Sequence, residues 1–142
     1  MVTHISHSAG ETESIAEAFA GRPLIGCVVG LSGDLGSGKT QFVRGLARGL
    51  GVTERIHSPT FALINIYTTG RVPLFHIDLY RLESDEQIVS AGLTEYFEPR
   101  GITIVEWIDR WHGQLPCRFC RVEIETLGEN ERQISIYDRA GT

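Results

Sequence analysis

The sequence has no long apolar run, no excess of positive charge and no even set of cysteines, and each absence removes a class of function. Its longest apolar stretch, "PLIGCVVGL" (residues 23–31), is far short of the roughly 20 residues that a membrane helix needs. The opening "MVTHISHSAGETES" has no basic region followed by an apolar run, so no secretory signal is expected. Three cysteines is an odd number, and reduced thiols in a cytoplasm are the simplest reading. Cys117 and Cys120 form a lone C-x-x-C with no second pair and only His112 close in sequence, too little for a zinc site. Basic side chains number 13 against 18 acidic ones, a formal net charge of −5. A protein that grips nucleic acid by itself usually shows a basic surplus, so direct binding to nucleic acid is not expected. No repeat, low-complexity tract or linker divides the chain.

What is present is an ordinary globular composition, 42% hydrophobic and 22% charged, over 142 residues. A single domain of about this size hides roughly 68–70% of its unfolded surface, and residues 1–142 are read as one domain. "ETESIAEAFAG" places Ile15, Ala16 and Phe19 at helical spacing, with Gly21 after the end. "CVVGL" reads as a short buried strand. "KTQFVRGLARGLG" reads as a helix with Phe42, Val43, Leu46 and Leu50 on one face, Arg44 and Arg48 elsewhere, and Gly51 as the stop. "FALINIY" and "VPLFHID" read as strands of a hairpin joined by "TTGR". Ser84 and Gln87 form a capping box. "GITIVEW" is a further strand, and "RVEIETLGENERQISIYD" is two strands around a Gly-Glu-Asn turn. Helices and strands alternate early and strands dominate late, which predicts an α/β fold: a mixed β-sheet flanked by helices.

Between "CVVGL" and the next helix lies "GDLGSGKT", where Gly33, Gly38, Lys39 and Thr40 fit G-x-x-x-x-G-K-[S/T]. Glycines let backbone N–H groups curl round an anion, a lysine at this place reaches β- and γ-phosphates, and a Thr hydroxyl holds Mg²⁺. The following helix points its positive end at the same spot. An apolar strand before the loop and an amphipathic helix after it are the context that distinguishes a phosphate loop from a flexible turn. The fold expected is therefore P-loop NTPase-like.

Such a site needs a carboxylate at a strand end. Asp78 ends "LFHID" and Glu106 ends "ITIVE". The second strand is the more continuously apolar, as a central parallel strand should be, which favours Glu106 on the metal side and leaves Asp78 for the attacking water or the γ-phosphate. Both also suit plain surface acids at strand ends. "HSPTF" (57–61) occupies the place of a γ-phosphate-sensing loop, with Thr60 facing metal or phosphate, or is simply a proline turn. Trp107 reads as a core or rim aromatic, or as one wall of a ligand site. His76, two residues before Asp78 and on the same strand face, reads as a hydrogen-bonded structural histidine.

These motifs, in this order and spacing, resemble the bacterial TsaE family, small ATPases of tRNA threonylcarbamoyladenosine biosynthesis. The resemblance begins at "SAGETE", continues through "GDLGSGKTQFVRGLARGLG", "SPTF", "HIDLYRL" and "VEW", and ends in the "LP" and "ERQISI" region. It implies that Asp34, Leu35, Gly36, Ser37, Gly38, Lys39, Thr40 and Gln41 wrap the ATP phosphates, with Lys39 on the β/γ side. It implies Thr40 and Glu106 as Mg²⁺ ligands and Asp78 beside the γ-phosphate, where hydrolysis needs it. Ser58 and Thr60 would belong to the switch-like loop, Trp107 would edge the site, and the segment from His7 to Thr12 would pass near the adenine. Two departures stand out: Phe61 where the family often has tyrosine, and Ile108 where it often has proline. The implied role is an ATP cycle acting on a TsaD–TsaB pair, supporting modification of the adenosine next to the anticodon. The partners, not this acidic chain, would hold the tRNA.

A small-molecule P-loop kinase shares the same loop, but would also want an acceptor-binding region and an arginine lid, for which little chain remains after Glu106. A GTP switch would want an N-K-x-D segment, and none is present. A subunit that holds nucleotide only as a structural ligand would bind without turnover. The expected activity is a weak ATPase whose rate rises with partners, because no arginine is clearly placed over the transferring phosphoryl group; Arg81 in "DLYRL" is the nearest.

Overall fold

The computed structural model describes residues 1–59 and 61–138. It consists of seven strands and three α-helices: β1 (Val2–Ser6), α1 (Ala9–Phe19), β2 (Val28–Ser32), α2 (Lys39–Gly49), β3 (Ile64–Tyr67), β4 (Leu74–Asp78), α3 (Asp85–Ser90), β5 (Ile102–Glu106), β6 (Phe119–Thr126) and β7 (Arg132–Asp138). One sheet runs in the order β1-β7-β6-β2-β5-β4-β3. Its centre, β6-β2-β5-β4, is parallel, and antiparallel pairs close both sides: β7 on β6, β1 on β7 and β3 on β4. This is the mixed α/β sheet that the element pattern predicts. Among the described residues, no helix is long and apolar enough to cross a membrane.

The parallel centre is buried on both faces, so its strands are apolar runs rather than alternations. Every residue of β5 is buried, and Val28 to Leu31 of β2 are as well. One face carries Val29, Leu31, Leu74, Ile102 and Ile104 against Phe19, Phe42, Val43 and Leu46 of α1 and α2. The other carries Val28, Ile77 and Val105 against Ile88, Leu93, Phe97 and Ile108. Period-2 alternation therefore puts His76, Asp78 and Glu106 on the α2 face.

α2 forms where the 3.6-residue spacing puts Phe42, Val43, Leu46 and Ala47 on one buried face. Its exposed Arg48 bridges back to Glu13 and Glu17 of α1 at 3.0 and 2.5 Å, and Gly51 ends the segment at φ +81°. α1 starts on a serine cap that the sequence reading passed over. The Ser8 hydroxyl accepts from Glu11 N–H, and the Glu11 carboxylate accepts from His7 N–H. The Ser84 cap is present as expected, accepting from Gln87 N–H at 3.2 Å.

Two elements differ from the sequence reading. β1 was not anticipated; four of its five residues are exposed, and an edge strand held mainly by backbone pairing to β7 leaves no apolar signature. The strand expected over 61–67 starts only at Ile64, because Leu63 takes φ +68° and turns the chain, leaving Phe61 82% exposed.

α1 and α2 approach so closely that Gly45 is a spacer. A Cβ at this position would lie 2.1 Å from the Glu13 carbonyl oxygen. Gly45→Ala gains about 1 kcal/mol of helix propensity, but it must push two packed helices apart. A net loss of about 1–3 kcal/mol is expected, measured as a lower urea midpoint with unchanged slope.

Candidate functional site

The carboxyl ends of β2, β5 and β4 lie side by side. Leu31 pairs with Glu106, and Glu106 pairs with Asp78. The chain leaving β2 therefore turns over two acids held at one level, the position where open parallel sheets take their ligands. Residues 33–38 make that turn. Gly36 and Gly38 adopt φ +79° and +102° with nothing within 4 Å of a built Cβ. Conformation, not space, selects glycine there. Gly38 is also the residue preceding the first turn of α2, so the helix's unpaired N–H groups open onto the loop.

A cavity of about 550 Å³ occupies this end of the sheet, within the usual range for small-molecule sites. Of the residues expected to contact ligand, Thr12, Leu35, Gly36, Ser37, Gly38, Lys39, Thr40, Gln41, Ser58, Asp78, Glu106 and Trp107 all line it. Asp34 does not. Its side chain is exposed, and its carbonyl instead accepts from Lys39 Nζ at 2.9 Å and from Ser37 N–H at 3.0 Å. Thr60 lies outside the described residues. Ser8 and Ala9, of the His7–Thr12 segment expected near the site, line it too, and the cavity has walls that the sequence reading missed: Tyr80 after β4, Glu129 and Asn130 from the β6–β7 turn, and Arg132 at the start of β7. The Arg132 guanidinium ties that turn to the loop, donating to the carbonyls of Ser37 (3.0 Å), Gly36 (3.3 Å), Gly128 (2.9 Å) and Glu131 (2.9 Å). A lone arginine beyond a Gly-Glu-Asn turn carries no signal of that contact in sequence.

Lys39 is 5% exposed. Its ammonium donates to the Gly33 carbonyl at 2.7 Å and lies 4.1 Å from the centroid of the Trp107 ring. Desolvation pushes its pKa below the usual lysine value, against the pull of Glu106, Asp109, Asp78 and Asp34. Trp107 holds φ +60°, a left-handed conformation that is uncommon outside glycine, and it stacks on Tyr80 with centroids 4.9 Å apart. Arg81 is exposed and outside the cavity lining, its guanidinium 4.2 Å from the exposed Phe61 ring.

The Thr40 hydroxyl is 3.2 Å from both oxygens of Glu106. A hydroxyl and a carboxylate make an all-oxygen donor set, the chemistry that suits Mg²⁺. Among the described residues no three His, Cys, Asp or Glu side chains cluster into a metal site of their own. Such sparse protein ligation is usual where nucleotide phosphates complete the coordination of Mg²⁺. Asp78 accepts from Tyr80 N–H at 2.9 Å and from the Ser58 hydroxyl at 3.4 Å. His76 is buried, with Nε2 2.5 Å from Glu106 Oε2 and Nδ1 without a partner; it is not the fully hydrogen-bonded structural histidine that the sequence suggests.

A glycine loop between a central parallel strand and a helix, above two strand-end carboxylates, places the chain among the P-loop NTPase-like α/β proteins. The family is narrower. The family model described as "Threonylcarbamoyl adenosine biosynthesis protein TsaE" matches residues 6–134, and the chain belongs to that TsaE family. It is 42% identical over 125 residues to the tRNA threonylcarbamoyladenosine biosynthesis protein TsaE of Bacillus subtilis, covering 88% of this chain and 78% of that protein. It is 47% identical over 115 residues to the protein of the same name from Nostoc, covering 78% and 70%. The crystal structure of Bacillus subtilis YdiB superposes with a TM-score of 0.82 at 36% identity, over 96% of this chain and 84% of that one.

Burial holds the Asp78 carboxyl above the usual aspartate range, against the opposing Tyr80 N–H, and the neighbouring Glu106 adds to the rise. The folded chain then binds this proton more readily than the unfolded chain. Asp78 favours folding below the ordinary carboxylate pKa, and that contribution is lost as pH rises through the folded value. Asp78→Asn should therefore unfold at higher temperature than the parent chain at neutral pH. The gap should close by about pH 3.5, as read from thermal unfolding across that range.

Proposed function

We propose that this chain binds ATP with Mg²⁺ in the cavity at the end of β2, hydrolyses it slowly, and couples that cycle to threonylcarbamoyladenosine synthesis on tRNA in the cytoplasm. The observation that carries the reading is the convergence, in a TsaE-family chain, of the phosphate loop, Lys39, the Thr40–Glu106 pair and Asp78 on one cavity. In this reading residues 1–142 work as one P-loop ATPase domain. The loop backbone and the start of α2 hold the phosphates, and Lys39 exchanges its carbonyl partners for β- and γ-oxygens. Ser37 and Gln41 flank the phosphates, and Thr12 lies on the nucleoside side. Thr40 and Glu106 would hold Mg²⁺, whose charge offsets that of the phosphoryl oxygens. Asp78 orients the attacking water, whose oxygen bonds to the γ-phosphorus as the bond to the β–γ bridging oxygen breaks; ADP and phosphate leave. Ser58 and Thr60 report the γ-phosphate, and Trp107 closes the rim.

Lys39→Ala should weaken binding of a fluorescent ATP analogue and abolish hydrolysis, since a point charge aimed at the β/γ oxygens has no substitute in the loop. Glu106→Ala should change the Mg²⁺ dependence of binding. Asp78→Ala should leave nucleotide bound and slow the single-turnover step. Exchange of the last two phenotypes would reverse the assignment of the acids.

The partners proposed are TsaD-like and TsaB-like proteins, with tRNA reached only through them. Two of the arginines nearest the site are engaged elsewhere: Arg81 lies against Phe61, and Arg132 is committed to backbone carbonyls, while Arg110 sits beside the Tyr80 and Trp107 rings. A group supplied by a partner is worth roughly 10³–10⁵ in rate in other P-loop proteins. Steady-state ATPase assays should show slow turnover alone and a marked rise with both partners. Fast turnover by the lone chain, unresponsive to them, would refute the coupling.

A further inference from the structure

His76 is fully buried in the middle of β4, on the sheet face covered by α2. Its ring makes one polar contact. Nε2 lies 2.5 Å from Glu106 Oε2, while Nδ1 is buried with no partner. A carboxylate only accepts, so Nε2–H is the donor. Burying an imidazole with one nitrogen unpaired works against stability; its cross-strand neighbours are the apolar Ile104 and Asn65, whose amide donates to the His57 carbonyl and the Tyr67 hydroxyl. Apolar residues in place of both His76 and Glu106 would suit folding at least as well.

The contact itself supplies the reason for a histidine. Glu106 has two described side-chain partners, the Thr40 hydroxyl at 3.2 Å and His76 at 2.5 Å. Under the reading above, the Thr40 oxygen has a second duty toward Mg²⁺. His76 has no other duty. It approaches from within the sheet, one strand over and two residues before the Asp78–Glu106 pair, and so fixes the carboxylate from its buried side. We propose that His76 is a positioning residue: its Nε2–H locks the Glu106 carboxylate so that the other oxygen faces the metal beside Thr40. This rests on the assignment of Thr40 and Glu106 to Mg²⁺. Outer partners of this kind typically change metal affinity by about 10–100-fold.

The test is equilibrium binding of a fluorescent ATP analogue across a Mg²⁺ series and in chelator, with no turnover involved. His76→Leu should raise the Mg²⁺ midpoint by about tenfold or more and leave affinity in chelator within about twofold. His76→Gln, whose amide nitrogen sits near the place of Nε2, should restore most of the parental midpoint. His76→Asn, whose amide is too short to reach Glu106, should not. This Gln–Asn contrast tests the hydrogen bond even if the leucine variant folds poorly. An unmoved midpoint in both the Leu and Asn variants, or a Gln variant no better than Asn, overturns the proposal. Glu106→Gln separates the two levels. If it shifts the midpoint while the His76 variants do not, only the positioning role falls; if it too leaves the midpoint unmoved, the metal assignment falls with it.

Discussion

Parallel pairing of β2, β5 and β4 is the constraint on which the rest of this structure depends. It puts Leu31, Glu106 and Asp78 at one level, so the loop leaving β2 has two acids under it without any long-range search by side chains. Changing the register by one residue would turn Glu106 and Asp78 to the opposite face, away from α2. The apolar runs of β2 and β5 protect that register, because both faces are buried and a slip would expose or unpack either. Chemistry at the strand ends is thus fixed by packing several residues away.

The glycine-rich loop is held in shape by its own contacts. Lys39 is tied to the Gly33 and Asp34 carbonyls, Arg132 to those of Gly36 and Ser37, and Gly36 and Gly38 supply the left-handed backbone. Preorganisation of this kind lowers the ordering cost of binding. It has an opposing side, since the lysine must give up two carbonyls and its place beside Trp107 to meet a phosphate. Tight loop geometry and an engaged cation together favour selective binding over the strongest possible binding.

Much of this was legible in the sequence, and the reasons are physical. Glycines at fixed offsets before a lysine and threonine have few other uses, so the loop and α2 read directly. The apolar runs gave the central strands, and the acids ending them gave Asp78 and Glu106. What escaped was held by backbone or by tertiary contact. β1 pairs through its main chain while exposing its side chains. Arg132 binds carbonyls, which every residue has. His76 looked structural because sequence shows which face a strand residue shares, not whether its ring is fully paired there. Leu63 turned the chain inside an apolar run where nothing in composition marks a positive φ.

Lys39 is the only lysine in the chain, and it lies 5% exposed beneath an indole ring. All other side-chain cations that stay charged at every ordinary pH are guanidinium groups. The outer surface is therefore without lysine ammonium groups, and lysine-specific proteases or lysine-directed reagents that act on most proteins at many points meet a single side-chain target here. That target is at the end of the glycine-rich loop. Amine-directed chemistry on the side chains of this protein therefore has one address, a shielded ammonium in the wall of the cavity.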